Sequence, residues 1–179
     1  MIANFKGKLL VARPGVMTDP RFKQTVVYLY EQTPEVVLGL ILNKKTTTTI
    51  AELHALRGNS NSGAYGYLHN GGPVSDQSLL LLHTDEWSST NTMLTTHGNA
   101  ISSDELMLEK MLSNNMPLQW RLMSGISTWT LPQLQKEIYH HGGWLIVEPR
   151  SDIFYTEDGE DQWKSTINLA SMQLVDSFF

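Results

Sequence analysis

Gln24-Thr25-Val26-Val27-Tyr28-Leu29-Tyr30-Glu31-Gln32-Thr33-Pro34-Glu35-Val36-Val37-Leu38-Gly39-Leu40-Ile41-Leu42-Asn43 is the stretch that speaks first for a sheet. Its two ends are dense in β-branched, aromatic and aliphatic residues, which fit a pleated, packed surface. The polar break between them holds Pro34, whose fixed φ suits a turn. Two apolar runs of strand length around such a break predict a hairpin, buried on both sides.

On the N-terminal side, residues 8–12 predict a short strand stopped by Pro14-Gly15, where proline presets φ and glycine tolerates φ > 0. On the C-terminal side, the threonines at 46–49 can cap a helix. Ile50, Leu53 and Leu56 then recur at helical spacing until Gly58. Residues 59–63 predict a polar loop. The aromatic-rich 65–69 and the apolar 79–83, on either side of Gly71-Gly72-Pro73, predict a second strand pair, and a further strand is expected near 93–96. Ser102-Ser103-Asp104-Glu105 matches a capping box for a helix with Met107, Leu108, Met111 and Leu112 on its apolar face. Strand character returns at 118–124. Thr130-Leu131-Pro132-Gln133 offers a second box, for a helix lined by Leu131, Leu134 and Ile138 and stopped at Gly142-Gly143. Residues 144–147 predict a strand and 152–155 a short edge. A last helix from about Glu160 turns Trp163, Ile167, Ala170 and Leu174 to the core. Strands that follow one another without helices between them argue against a doubly wound parallel sheet. The expected class is α+β, a mixed and largely antiparallel sheet surrounded by helices, formed by residues 1–179 as a single domain.

At 41% hydrophobic and 17% charged, the 179 residues can offset the entropy of ordering. The absence of cysteine excludes disulfides, a thiolate nucleophile and Cys-rich zinc sites, so the cytoplasm is the expected compartment. No apolar run approaches the ~18 residues of a spanning helix, and neither an export signal nor membrane insertion is expected. The net charge of −5 argues against direct nucleic-acid binding, which requires cations on phosphates. That charge is uneven: residues 1–57 hold eight basic and four acidic residues (+4), residues 58–179 five and fourteen (−9). Mutual attraction of the two halves is the plain reading, and a basic binding face the sharper one.

Several blocks, in order, resemble the AlgH/YqgE family. They begin with Gly7-Lys8-Leu9-Leu10-Val11-Ala12-Arg13-Pro14-Gly15, Asp19-Pro20-Arg21-Phe22 and Thr25-Val26-Val27-Tyr28-Leu29. Gly39-Leu40-Ile41-Leu42-Asn43-Lys44, Asn70-Gly71-Gly72-Pro73-Val74 and Leu82-His83 follow. Gly125, Trp129, residues 133–138, Trp144-Leu145, residues 152–154 and Asp161-Gln162-Trp163 complete the pattern over nearly the whole chain. The resemblance implies a branched sheet. Some members are labelled transcriptional regulators, and no established catalytic residues come with the family. Departures are Arg13 in place of an apolar residue, Lys45 where a proline often stands, and short connections at 59–63 and 85–99.

Chemical signatures are sparse. His140 and His141 are adjacent and so point about 100° apart on a helix, and no His-x-x-x-His spacing occurs, so no metal is expected. His69 and His83 fall at predicted strand ends with Asp76 and Asp85 nearby in sequence. A Ser-His-Asp assembly there has no Gly-x-Ser-x-Gly elbow to mark its nucleophile. The glycines at 58, 63, 66, 71 and 72 lack phosphate-loop spacing, and no cofactor is expected. The acidic 157–161 suits a helix start, and Met107, Met111, Met123 and Met172 suit a core. What remains is a set on connections: Pro14, Gly15, Asp19, Asn43, Gly71, Gly72, Pro73, Gly125 and Trp129, expected to bind a small molecule or peptide. The expected function is therefore a noncatalytic protein that binds a ligand or protein partner and acts indirectly on gene expression. The alternative is a hydrolase or transferase with a site near His83 and Gly71-Gly72-Pro73.

Overall fold

Leu9 and Val11 pack into one apolar cluster and Leu10 and Ala12 into another, so the first strand, β1 (Leu9–Ala12), is buried on both faces. That alternation is the period of two that a strand imposes. It extends through the hairpin of β2 (Val26–Gln32) and β3 (Val36–Ile41), where Tyr28 and Leu40 join the first cluster and Val27 and Ile41 the second. The structure, a computed structural model, describes residues 3–58 and 65–178. The polar loop expected at 59–63 lies outside them.

The chain continues through β4 (Lys45–Thr49), α1 (Ile50–Leu56), β5 (Tyr67–Asn70), β6 (Val74–Thr84), β7 (Met93–Leu94), β8 (Asn99–Ser102) and α2 (Glu105–Leu112). It ends with β9 (Trp120–Thr130), α3 (Leu131–Tyr139), β10 (Trp144–Val147), a 3-10 turn at Ser151–Ile153 and α4 (Gly159–Asp176). The main path of the sheet runs β10-β1-β2-β3-β9-β6-β8-β7, with β4 attached through β5. Among the described residues every pairing is antiparallel except β5 with β9.

The sheet forks at β9. One edge of this strand pairs with β6 from Trp120 to Ile126. Its other edge is shared in succession: Met123 and Ser124 pair with β5, then residues 127–130 pair with β3. Gly71 sits in the fork, its N–H donating to Ser124 O at 2.8 Å and its carbonyl accepting from Ile41 N–H at 2.9 Å. The structure thus has the mixed, largely antiparallel sheet with surrounding helices that the sequence predicts, branched as the family resemblance implies.

Helices cover both faces. Trp163, Leu169 and Ala170 of α4 pack on the cluster that runs from Leu9 to Leu82 and Ile101, joining the two arms of the fork. Leu134 and Ile138 of α3 cover the opposite face of the hairpin. Ile50 of α1 and Met107, Leu108 and Met111 of α2 pack around Leu81 and Leu122.

Several local expectations are corrected. Residues 65–69 and 79–83 do not pair with each other; β5 joins β4 and β9, and β6 joins β8 and β9. The threonine run forms β4 as well as the Thr49 cap, whose hydroxyl accepts from Glu52 N–H at 3.0 Å. Ser102 belongs to β8, and the side chain that caps α2 is Asp104, accepting from Met107 N–H at 2.9 Å. Residues 152–155 form no edge strand: 152–153 belong to the 3-10 turn and 154–155 to the turn that follows it. Leu174 and Met172 of α4 face solvent.

Candidate functional site

Four parts of the chain enclose a cleft of about 440 Å³: the loop at 16–22, Pro73-Val74 at the start of β6, Thr128-Trp129 near the end of β9, and α3 with the residues after it. The loop is shaped by Asp19. Its carboxylate accepts from Arg21 N–H at 2.9 Å, the local bond that favours Asp in turns, and its carbonyl accepts from the N–H groups of Phe22 and Lys23. The same carboxylate grips the Arg21 guanidinium, with Nε 3.1 Å from Oδ1 and Nη2 2.7 Å from Oδ2. That grip holds the Asp19 carboxyl below its ordinary pKa.

The turn drives Phe22 inward, 5.7 Å from the Trp129 ring and 5.5 Å from that of Trp144. Both indoles are buried and so need acceptors. Glu137 of α3 supplies one atom for both: its Oε2 accepts from Trp129 Nε1 and Trp144 Nε1, each at 3.1 Å. Its Oε1 accepts from Gln133 Nε2 at 3.1 Å, one helical turn away. The helix is placed by Thr130, whose hydroxyl accepts from Gln133 N–H at 3.2 Å.

A second polar group lies on the opposite face. Asp158 caps α4 and is 2.8 Å from His69 Nε2, 3.7 Å from Lys45 Nζ and 3.9 Å from Arg121 Nη1. Arg121 is buried in β9 and donates to Leu42 O at 2.7 Å, to Gln162 Oε1 at 2.6 Å and to Glu157 O. Burial pushes the Asp158 pKa up but is outweighed by the His69 hydrogen bond and the charges of Arg121 and His69, which hold it at about 2. A carboxyl depressed below its unfolded value of ~3.9 stabilises the fold fully above that value and ceases to as pH falls through about 2. In urea melts the stability gap between wild type and Asp158→Asn is therefore expected to narrow as pH drops from 5 towards 2. A gap independent of pH would remove this linkage.

His83 and Ser102 are fully buried, with Nε2 2.8 Å from the hydroxyl. The geometry looks like a nucleophile and base, but Nδ1 meets the Thr84 carbonyl at 2.8 Å rather than a carboxylate. Neither residue lines the cleft. Burial lowers the His83 pKa, as expected of a neutral imidazole in the core. Gly71-Gly72-Pro73 precede β6 and His83 lies near its far end, so the structure does not unite them in one site.

The family described as AlgH-like matches residues 9–175. The chain belongs to the AlgH-like family. A UPF0301 protein of Francisella philomiragia is 29% identical over 188 residues, covering 100% of this chain and 97% of the relative. One from Ruegeria pomeroyi is 30% identical over 173 residues, covering 94% and 93%. The solution structure of the AlgH protein from Pseudomonas aeruginosa superposes with a TM-score of 0.74 at 24% identity, over 92% of this chain and 88% of that one. A crystal structure from Corynebacterium diphtheriae gives 0.69 at 19% identity, over 91% and 85%.

Within this AlgH-like fold, three of the residues expected to bind converge on the cleft: Asp19 and Pro73 from connections, and Trp129, which like Gly125 lies within β9 and not on a connection as expected. Pro14 and Gly15 form an exposed turn leading to Val16 at its margin. Gly71, Gly72 and Gly125 build the fork behind it, where backbones touch. Asn43 lies elsewhere, buried as a latch that accepts from Val26 N–H at 2.9 Å and donates to Gln24 O and Gly159 O. Sequence reasoning missed Arg21, Phe22, Gln133 and Glu137 as cleft residues, although each stands within a block quoted for the family resemblance. Among the described residues no group of three or more His, Asp and Glu is placed to hold a metal. No described helix is long and apolar enough to cross a membrane.

Proposed function

We propose that this AlgH-like chain is a noncatalytic binding protein whose ligand, a small molecule or peptide, occupies the cleft beside Trp129. The observation that carries the reading is convergence. Asp19, Pro73 and Trp129, far apart in sequence, line one concavity of about 440 Å³ in which aromatic rings meet the convergent polar side chains of Arg21, Gln133 and Glu137. Burial of the His83–Ser102 pair supports a binding role over a hydrolytic one. In this reading residues 1–179 work as one cytoplasmic unit, and any effect on gene expression passes through the bound ligand or a protein partner. The net charge of −5 supports action without direct DNA contact.

Thermal-shift screening with metabolites and short peptides tests this, because a ligand that binds only the folded state at 100 times its Kd adds about 2.7 kcal/mol. Val16 is exposed at the cleft margin, so Val16→Trp is expected to obstruct the cleft while leaving the core intact. Hits should raise the wild-type Tm and lose most of that effect in the variant. Hits that act equally on both place the binding site elsewhere.

A further inference from the structure

We infer that the cleft selects a cationic ligand, an alkylammonium or guanidinium group on an apolar stem, with the charge seated at Glu137. The inference rests on the cleft being the binding site and adds the class of ligand. A carboxylate offers about four acceptor positions. Two indole N–H groups occupy Oε2 of Glu137, and only Gln133 meets Oε1 among the described residues. The carboxylate is thereby immobilised by three donors while keeping acceptor capacity on Oε1.

The charges around it point the same way. Arg21 is the cation on the rim, near enough for its charge to act on Glu137, but Asp19 engages its guanidinium at both Nε and Nη2 and so offsets most of that charge as seen from the cleft. Glu137 forms no ion pair among the described residues. Counting side chains that line the cavity, Asp19 and Glu137 against Arg21 leave one net negative charge, with His141 at the mouth. An anionic guest would face that charge where bulk water is partly excluded. A neutral apolar guest would strip water from Oε1 and return no hydrogen bond. A cationic guest supplies the missing donor, and its apolar stem meets the Trp129 ring, since the Arg21 guanidinium already lies over Phe22, 5.6 Å from its centroid.

Glu137 also has a structural duty, as acceptor for two buried indoles, and Glu137→Gln separates the duties. The amide oxygen can still accept from both tryptophans, whereas the charge is gone. The probes are hexylammonium and butylguanidinium, with hexanol and hexanoate as neutral and anionic counterparts. The readout is the indole N–H signals in two-dimensional NMR, with Trp87, Trp120 and Trp163 as internal references. Cations are expected to shift Trp129 and Trp144 saturably, at least about tenfold more tightly than hexanol, and Glu137→Gln should weaken them by about the same factor. If hexanol or hexanoate binds as tightly with the same signals moving, or the variant stays within about twofold of wild type, the cationic class is overturned and the cleft reading stands. If the cations shift only the reference tryptophans, or nothing binds, the inference fails; binding confined to the reference tryptophans also removes the cleft as the site.

Discussion

Gly72→Ala is expected to be the most damaging single-methyl change in the molecule, lowering stability by more than ~4 kcal/mol, a large share of the ~5–15 kcal/mol that a folded domain possesses. Gly72 has φ +153°, and a Cβ there would lie under 3.0 Å from the backbone of Ile126 and Ser127. Those atoms belong to β9 where its edge passes from β5 to β3, so they cannot withdraw without breaking ladder bonds. Gly125 answers from the other side, since a Cβ on it would come under 3.0 Å from Gly72 O. Gly15 provides the contrast. Its φ is +74°, but no atom lies within 4 Å of its would-be Cβ, so Gly15→Ala should cost only the strain of the left-handed region, ~1–2 kcal/mol. Urea melts of the two variants check this. A Gly72→Ala protein as stable as Gly15→Ala would mean that the fork is looser than described.

The second large effect is expected at Arg121. Arg121→Met keeps most of the side-chain volume but leaves Leu42 O, Glu157 O and Gln162 Oε1 short of a donor, and deprives Asp158 of a cation. Breaking a buried charged network from one side costs ~3–5 kcal/mol. The loss should be local first, because Gln162 in turn donates to Ile153 O and Phe154 O and so docks the start of α4. Hydrogen exchange is expected to quicken at residues 153–166 before the β2–β3 hairpin is affected. Arg121→Lys should recover only part, as one ammonium cannot span three separated oxygens. Uniform acceleration across the sheet, or a cost below ~1 kcal/mol, would show that Arg121 does not organise this corner.

These two residues also show where the sequence is legible. The hairpin at 24–43 can be read because its turn is local and its apolar runs carry the signal themselves. α3 can be read from its cap and the spacing of Leu134 and Ile138, and α4 from its acidic first turn and the spacing of Trp163 and Ala170. The fork cannot, because β9 finds β3, β5 and β6 across long separations, and nothing in Gly71-Gly72-Pro73 says which strand it will press against. Pairing 65–69 with 79–83 fails for the same reason, since adjacency in sequence favours neighbours that the fork keeps apart. β4 escapes notice because a threonine run has no apolar alternation. In the site, Asp19, Pro73 and Trp129 can be proposed from turn chemistry and position. Glu137, with two tryptophans on one oxygen, and Asp158, which meets His69 across 89 positions, emerge only in three dimensions.

The cleft between the Asp19 loop, Pro73 and α3 is most directly tested by a crystal structure of the protein with the tightest ligand from the thermal-shift screen. The ligand is predicted to lie against Thr128 and Trp129, within hydrogen-bonding distance of Glu137. Electron density for it beside His69 and Asp158, or on the exposed end of α4, with the cleft filled only by solvent, would contradict the account.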